Sequence, residues 1–557
     1  MSTSSRDTLQ RPFPAEGGLS KIKKVTRWRI ESAQAISFWS WGSTNSARSF
    51  NRYLSTVDLA CALATILCVA LLILVLSFVL GSEMTGFKSD VTRVIVWGKF
   101  GRLRGLQLLA GDHRVFAFLG VPYAQRPVGP LRFKKPVPLD TSKGDKIQDA
   151  TKLGPACVQN FYTVAYSINS EDCLHLNVWT PAVECSDNLT GKHAKCAYRT
   201  VLVFLHGGFF QLGGNRDPIY DARFLSAMGD VVVVIPNYRL GAFGFLNDGT
   251  ESAPGNAGLH DQLLAVKWIR THIGSFGGNG SDVVLMGHGA GATSVGFHLL
   301  TAATNQSGSH PLLRKAIIMS ESPFTRYSEN TEHARDNLDQ LLETSGCSRQ
   351  VASRRLDCLR TVSAQSLLAP TGSRANAIPH FTPTLQGVWN FSRSKHAINL
   401  TNIEVLLGNV DDEASSFLHF LEQRLNLDTF GLINISRTII QELGFNESSA
   451  DAICSHYFSG FMGDARARQR DMLSDLLSVC PVLYFADFLV RAGARSVRRY
   501  LLSRRSEPRA QRSYALSLVF GDPMVRGSNP QLEVLSLRMI QLWTSFAKTG
   551  GGQADLA

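Results

Sequence analysis

The segment Gly287-His288-Gly289-Ala290-Gly291 has the spacing of a turn that carries a nucleophile in many hydrolases. Such a Gly-X-Ser-X-Gly turn holds its serine on a strained connection between a strand and a helix. Here glycine occupies the central position, and glycine has no side chain that can attack a carbonyl carbon. The sequence therefore predicts the backbone of the turn without its nucleophile.

Other residues near this turn do not restore a nucleophile. His288, Thr293, Ser294 and His298 lie at spacings that a helix directs toward neighbouring packing or solvent, so we expect structural roles for them. No HExxH motif or paired Cys/His spacing indicates a metal site, and the fingerprints of phosphate-binding and dinucleotide-binding loops are absent. We therefore predict no metal and no cofactor.

The turn follows one of several short apolar runs that predict buried strands. These runs are 201–205, 231–235, 283–286, 316–319 and 405–407. Residues 259–272 have apolar side chains at helical spacing and a polar opposite face, as a helix that covers a sheet requires. This alternation predicts an α/β domain with a central, mostly parallel sheet flanked by helices.

Composition excludes two classes of protein. The 557 residues are 44% hydrophobic and 18% charged, which is enough apolar material for a large core and unlike a disordered chain. The formal net charge is +12, but the basic residues are spread along the chain and form no stripe with interleaved aromatic residues. We therefore expect no binding of nucleic acid.

An apolar stretch from Leu59 to Leu80 has no charged side chain. As a helix its 22 residues span about 33 Å, which matches the hydrocarbon core of a bilayer. A signal peptide is shorter and lies nearer the start, so we predict an uncleaved transmembrane signal anchor over 59–81. Residues 1–58 are rich in Ser and Arg with little apolar periodicity, and we predict a mostly disordered cytoplasmic tail.

Glycosylation sequons indicate which side of the membrane the larger part faces. Every Asn-X-Ser/Thr sequon follows the apolar stretch, as do eight of the ten cysteines. Glycans and disulfides are added in the secretory lumen, which favours a type II protein of the plasma membrane with residues 82–557 extracellular. We exclude Asn279 because its turn is expected to be too tight. The predicted glycosylation sites are Asn188, Asn305, Asn390, Asn399, Asn434 and Asn446.

Four long blocks give this outer part a family resemblance. They are 118–133 (FLGVPYAQRPVGPLRF), 170–181 (SEDCLHLNVWTP), 234–246 (VIPNYRLGAFGFL) and 254–279 (PGNAGLHDQLLAVKWIRTHIGSFGGN). With 283–299 and 543–550, they strongly resemble the type B carboxylesterase/cholinesterase family. The resemblance covers nearly all of the chain after the apolar stretch and implies an α/β-hydrolase fold, expected to be short at its C-terminus.

In that family the serine works with an acid and a histidine that follow it in the chain. Residues 411–417 resemble the acid segment and set Glu413 at the acid position. Reading back from 513–521 sets Arg512 at the base position, and no histidine follows His456. Arginine stays protonated and cannot accept a proton from serine. We hypothesise that Arg512 and Glu413 form an ion pair, the alternative being two independently solvated charges.

The resemblance also implies an oxyanion hole built from the amides of Gly207, Gly208 and Ala290. The family's His-Gly-Gly-Gly is His206-Gly207-Gly208-Phe209 here, and we expect Phe209 to obstruct an acyl oxygen. Nucleophile, base and third glycine have all changed. The resemblance therefore implies a pseudo-esterase and not an enzyme.

The family's disulfides imply the pairs Cys157–Cys173 and Cys347–Cys358, each closing a short loop. A third local bridge is expected between Cys185 and Cys196. Cys480 resembles a family cysteine whose usual partner follows residue 550, and Cys454 is one alternative partner for it.

A membrane-anchored, glycosylated, inactive esterase domain is similar to the cholinesterase-like adhesion molecules, with a layout like that of neurotactin. The resemblance implies heterophilic cell adhesion or recognition of an extracellular or cell-surface protein ligand. By the same analogy, helices near 338–345 and 533–547 imply a homodimer face. Two alternatives stay open: a membrane-bound hydrolase that uses unrecognised residues, and a small-ligand binder that uses the residual gorge.

Overall fold

The structure is a computed structural model of the chain. It describes residues 25–32, 92–140, 146–160, 167–183, 197–304, 313–325, 331–368, 381–384, 398, 400–415, 417–418, 429–459, 464–504, 512–527 and 529–550. For Asn434 and Arg512 it describes the backbone only. The predicted span over 59–81 lies outside these ranges.

Strands and helices alternate through the described part of the chain. The strands are β1 (Val25–Ser32), β2 (Arg93–Gly98), β3 (Gly101–Ala110), β4 (His113–Pro122), β5 (Ile147–Asp149), β6 (Ala156–Cys157), β7 (Asn169–Ser170), β8 (His175–Thr180), β9 (Arg199–Leu205), β10 (Val232–Pro236), β11 (Gly278–His288), β12 (Lys315–Met319), β13 (Glu404–Val410) and β14 (Ser496–Arg504). The α-helices are α1 (Arg223–Gly229), α2 (Gly241–Phe245), α3 (Ala257–His272), α4 (Ala290–Thr304), α5 (Thr331–Thr344), α6 (Ala352–Thr361), α7 (Ala364–Leu368), α8 (Thr429–Glu442), α9 (Glu447–Phe458), α10 (Ala465–Ser474), α11 (Cys480–Arg491), α12 (Arg512–Phe520), α13 (Asp522–Arg526) and α14 (Pro530–Thr549).

One large mixed sheet organises the domain, in the order β1-β14-β13-β12-β11-β9-β10-β8-β4-β3-β2, with β5 added beside β3. In this sheet order, the first seven strands, from β1 through β14 to β10, run parallel to one another. The remaining four, β8, β4, β3 and β2, each pair antiparallel with the strand before them. All five predicted apolar runs lie in this sheet, and 259–272 lies in α3. The predicted α/β architecture is confirmed, and it is consistent with an α/β-hydrolase.

The strand β9 shows how the sheet separates two cores. Val201, Val203 and Leu205 face one hydrophobic cluster, and Leu202 and Phe204 face another on the opposite side. Every one of these side chains is fully buried because helices cover both faces. A continuous apolar run is therefore the expected sequence for this strand.

A third, smaller cluster lies among α8, α9 and α10, with Ile440 and Met472 fully buried in it. Phe209, which follows β9, packs against both this cluster and the larger core. The third cluster thus contacts the carboxyl end of the sheet.

A π-helical turn, Asp475–Val479, joins α10 to α11. Cys480 N–H donates to Asp475 O, five residues back. Pro481 has no N–H, and the carbonyl of Leu477 instead accepts from Thr325 Oγ1 at 3.3 Å. The extra residue in the turn lets Ser478 face the sheet, where its hydroxyl donates to Ser320 O.

The helical run Ala465–Arg491, which includes this turn, is the one helix in the described ranges that is long and apolar enough to cross a membrane. Half of its apolar window is buried inside the domain, as in a core helix of a soluble protein. By length and composition alone it gives weak evidence for a span.

The structure differs from the predicted disordered tail at Val25–Ser32, which forms β1. This strand runs parallel to β14, from Val25 beside Val497 to Ser32 beside Arg504. The segment alternates basic residues with Trp28 and Ile30, a period-two pattern that fits a strand. Pairing with β1 satisfies the backbone groups that β14 would otherwise expose at the sheet edge.

Candidate functional site

The turn at 287–291, called the elbow below, connects β11 to α4. Gly289 has φ +58°, a left-handed conformation that costs glycine little. Its N–H donates to Met319 O at 3.0 Å, and its carbonyl accepts from Thr293 N–H at 3.0 Å. The chain therefore forms the sharp strand-to-helix turn with glycine at its centre.

Two flanking glycines let α4 approach the sheet. A Cβ on Gly291 would lie 1.9 Å from Leu205 O, and one on Gly287 would lie 2.3 Å from Gly291 O. Neither position has room for a side chain, because the obstructing atoms belong to the backbone. The glycines of the elbow are fixed by packing, whether or not a nucleophile is present.

The predicted oxyanion segment follows β9. Gly208 has φ +118°, and a Cβ there would lie 2.1 Å from Leu212 O. Phe209 keeps a left-handed φ of +55°, which is strained for a residue with a side chain. Its ring packs against Phe417 with centroids 5.5 Å apart. Phe209 thus joins the carboxyl end of β9 to the third cluster.

His206, at the end of β9, is held as a neutral structural ring. It stacks on Tyr238 at 4.3 Å, and Tyr238 Oη donates to His206 O at 2.7 Å. Burial lowers the pKa of His206 to about 4. This imidazole therefore does not gain a proton near neutral pH.

Glu413, at the predicted acid position, follows β13 and is buried. Its Oε1 accepts from Val410 N–H at 2.9 Å and from Asn409 Nδ2 at 3.4 Å. Burial raises the pKa of Glu413 to about 8, although these hydrogen bonds oppose the shift. The carboxyl group is therefore largely protonated at neutral pH.

A second buried carboxyl, Glu321, is not among the residues predicted from the sequence. Burial, followed by the charge of Glu413, raises its pKa well above the usual range. Thr293 Oγ1 donates to it at 3.4 Å. The available signal was an acidic residue two positions after the apolar run 316–319, where a parallel strand ends.

Three further polar residues surround these carboxyls, and we call the whole set the acid pocket. Its members are Ser320, Glu321, Asn409, Glu413 and Ser478. Asn409 Nδ2 donates to Ser478 Oγ at 3.0 Å, and Ser320 has a left-handed φ of +73°. His288, Met319 and Gly408 lie in register on the neighbouring strands β11, β12 and β13, so the acid pocket borders the elbow at the carboxyl ends of these strands.

Arg512, at the predicted base position, is the first residue of α12. Its side chain lies outside the described atoms, so the hypothesised ion pair with Glu413 stays a prediction.

The other side chains near the elbow form a packed polar chain. His298 Nε2 lies 2.7 Å from Gln262 Oε1, Gln262 Nε2 donates to Ser294 Oγ at 3.1 Å, and Ser294 Oγ donates to Ala290 O at 3.0 Å. Burial lowers the pKa of His298 to about 3. Thr293 Oγ1 also lies 3.2 Å from Ser322 O. The contacts of Thr293, Ser294 and His298 have the structural character that the sequence predicts, whereas His288 ends β11 and does not lie on a helix.

The disulfides Cys157–Cys173 and Cys347–Cys358 are both formed, as predicted. Cys454 and the exposed Cys480 are free thiols, so they do not pair with each other. The predicted bridge between Cys185 and Cys196 lies outside the described residues.

Of the predicted glycosylation sites, Asn446 is described with its side chain. It is exposed, and its Oδ1 caps α9 by accepting from Ser449 N–H at 2.9 Å. Asn434 lies in the backbone of α8, and the remaining sites fall outside the described ranges: Asn188, Asn305, Asn390 and Asn399.

Comparison with known proteins agrees with this geometry. A profile described as the carboxylesterase family matches residues 92–555. A protein named cholinesterase from Mus musculus is 32% identical over 496 residues, which cover 82% of this chain and 79% of that protein. One named acetylcholinesterase from Bungarus fasciatus is 33% identical over 491 residues, covering 81% and 77%.

Proposed function

This chain belongs to the carboxylesterase family, and we propose that it is a non-catalytic, membrane-anchored member that binds a protein ligand outside the cell. The observation that carries the loss of catalysis is Gly289. It occupies the nucleophile position of a well-formed elbow and offers no atom that can form an acyl-enzyme. A family scaffold without its nucleophile is suited to recognition.

The surroundings of the elbow support this proposal because the nearby hydroxyl groups are already engaged. Ser294 donates to Ala290 O, and Thr293 contacts Glu321 and Ser322. The imidazoles of His206 and His298 have depressed pKa values and lie in packed surroundings. A substitute nucleophile and base would have to leave these contacts.

Membrane anchoring is proposed from sequence chemistry. The uncharged run from Leu59 to Leu80 is long enough to cross a bilayer, and the sequons and the formed disulfides follow it. With residues 1–58 in the cytoplasm, the domain after residue 81 lies outside the cell.

One molecule cannot have both this membrane topology and the strand β1. A strand paired with β14 lies on the domain's side of the membrane, whereas the proposal puts residues 25–32 on the other side. Protease digestion of intact cells that carry an N-terminal epitope decides between them. A protected epitope with a glycosylated domain supports the anchor, and a digested epitope rejects it in favour of β1.

For ligand class, the likeness to cholinesterase-like adhesion molecules favours heterophilic adhesion to a cell-surface or extracellular protein. The test mixes cells expressing the full chain with non-expressing neural cells and counts mixed aggregates. Expressing cells that aggregate only with each other, or not at all, would contradict heterophilic adhesion.

The loss of catalysis is tested on the purified full chain with small aryl and choline esters. We expect no burst and no steady turnover. The triple variant Gly289→Ser, Arg512→His, Phe209→Gly tests whether the scaffold still accepts the missing groups, and Gly289→Ala is its control. A burst from the wild-type chain would show an unrecognised nucleophile and overturn the proposal.

A further inference from the structure

One end of the large sheet carries an exposed face built by β2, β3 and β5, called the edge face below. Its members, read from the strand register, are Ile95, Trp97, Arg102, Arg104, Ile147 and Asp149. Trp97 is 48% exposed, and Ile95 and Ile147 are each 38% exposed. Large apolar side chains therefore lie beside basic ones on a single surface.

The guanidinium of Arg102 lies over the Trp97 ring at 4.8 Å. Arg102 has Trp97 beside it on β2 and Ile147 beside it on β5. Arg93 and Lys99 are exposed on the same end of the sheet, and Asp149 is the acidic member of the face. An amphipathic ring flanked by cations has the composition of residues that lie at the level of lipid headgroups.

The short segment between the proposed span and β2 limits how far the edge face can lie from the bilayer. Leu80 ends the apolar run and Arg93 begins β2, so residues 81–92 separate the proposed span from the sheet. Such a segment reaches at most about 45 Å when extended and about 20 Å as a flexible coil. A domain of this size is about 60 Å across. The edge carrying β2 must therefore stay close to the bilayer.

We propose that the edge face docks on the headgroup layer of the bilayer that anchors the chain. The aromatic and isoleucine side chains enter the interface, and the arginines donate to lipid phosphate oxygens. This inference rests on the proposed membrane anchor. It fixes the orientation of the domain, and the opposite end of the sheet then points toward other cells.

The test uses the full chain in phosphatidylcholine nanodiscs whose acyl chains carry bromine near the headgroups. Bromine quenches tryptophan fluorescence on contact. If Trp97 lies among the headgroups, bromine quenches its fluorescence. We therefore expect Trp97→Phe to lower the fraction of tryptophan fluorescence that bromine quenches at least twofold. Trp179→Phe, which removes a buried tryptophan of β8, is the matched control and should leave quenching unchanged.

A second variant keeps the reporter and changes the surface. Ile95→Glu with Ile147→Glu retains Trp97 and should abolish its quenching. Retention through an alkaline carbonate wash shows separately whether the chain is integral to the membrane. An integral chain with unquenched Trp97 would overturn the docking alone and leave the face free for a protein. A chain removed by the wash would overturn the anchor and the docking together.

Discussion

The elbow and the acid pocket are neighbours at the carboxyl ends of β11, β12 and β13, yet the chain fills them in opposite ways. At the elbow, Gly289 has a left-handed backbone and no side chain. In the acid pocket, Glu413 is buried and a second carboxyl, Glu321, is buried near it. The elbow depends on steric room between backbone segments, whereas the acid pocket depends on whether buried carboxyls carry a proton. Backbone packing alone therefore accounts for the shape of the elbow, whereas the stability that the acid pocket contributes depends on pH.

The largest effect is expected from closing the space at the elbow. Gly291→Ala would place a methyl group 1.9 Å from Leu205 O, so β9 and α4 must separate. We expect the unfolding free energy to fall by about 3 kcal/mol or more. The measurement is denaturant unfolding of the full chain in detergent.

Gly274→Ala is the matched control, because the nearest atom to its Cβ is 3.9 Å away. It should be neutral. Equal stability of the two variants would show that the elbow does not depend on close backbone packing.

The acid pocket should respond to pH, and the elbow should not. The pKa of Glu413 is about 8 in the folded chain, against an ordinary value near 4.5, so the folded state binds the extra proton. The stability this proton gives is complete below about pH 4.5 and is lost as the pH rises toward 8. Between pH 6.5 and pH 8 we expect a loss on the order of 2 kcal/mol.

Substituting Glu413→Gln should reduce this slope, and adding Glu321→Gln should flatten it. Glu251→Gln is the control, because that side chain is 88% exposed, and it should keep the wild-type slope. Unfolding midpoints measured from pH 6.5 to pH 8 give the comparison, because the lowered pKa values of His206 and His298 make stability depend on pH mainly below 6.5. A slope that survives the double substitution would place its origin outside the acid pocket.

Phe209 lies between the elbow and the third cluster. Replacing it therefore tests whether these two regions stabilise each other. Phe209→Ala removes the ring packed on Phe417 but keeps the strained backbone. Because the ring is half-buried, we expect a loss of about 2 kcal/mol in unfolding free energy. Val351→Ala, at a side chain 65% exposed, should cost little. Equal losses would mean that the ring does not link the two regions.

The smallest effect is expected from introducing a side chain at the elbow. Gly289→Ser must adopt φ +58°, which costs about 1 kcal/mol in stability. The control Gly274→Ser has no such backbone demand. Unfolding measurements on the two variants isolate the strain that glycine relieves, and a stabilised Gly289→Ser would contradict this account.

Features that depend on neighbouring residues could be predicted from the sequence, whereas features that depend on contacts between distant segments could not. The runs 201–205 and 283–286 predict buried strands because their apolar character is local, and the disulfides follow from family spacing. The strand β1 was missed because Trp28 and Ile30 alternate only briefly and need β14 as a partner. The position of Glu321 after the run 316–319 was a usable signal, but the raised pKa values of Glu321 and Glu413 could not be predicted, since they arise from segments far apart in the chain that close over one site.

The π-helical turn at Asp475–Val479 predicts where homologous chains can differ in length. Deleting one residue there would restore an ordinary α-helix and rotate one side of the run by about 100° relative to the other. Either Ser478 or the face of α11 that packs on the core would then turn away from the sheet. Homologous chains that differ in length by one residue in this helix are therefore expected to differ within 475–479, accompanied by changes at Ser320 and Asn409.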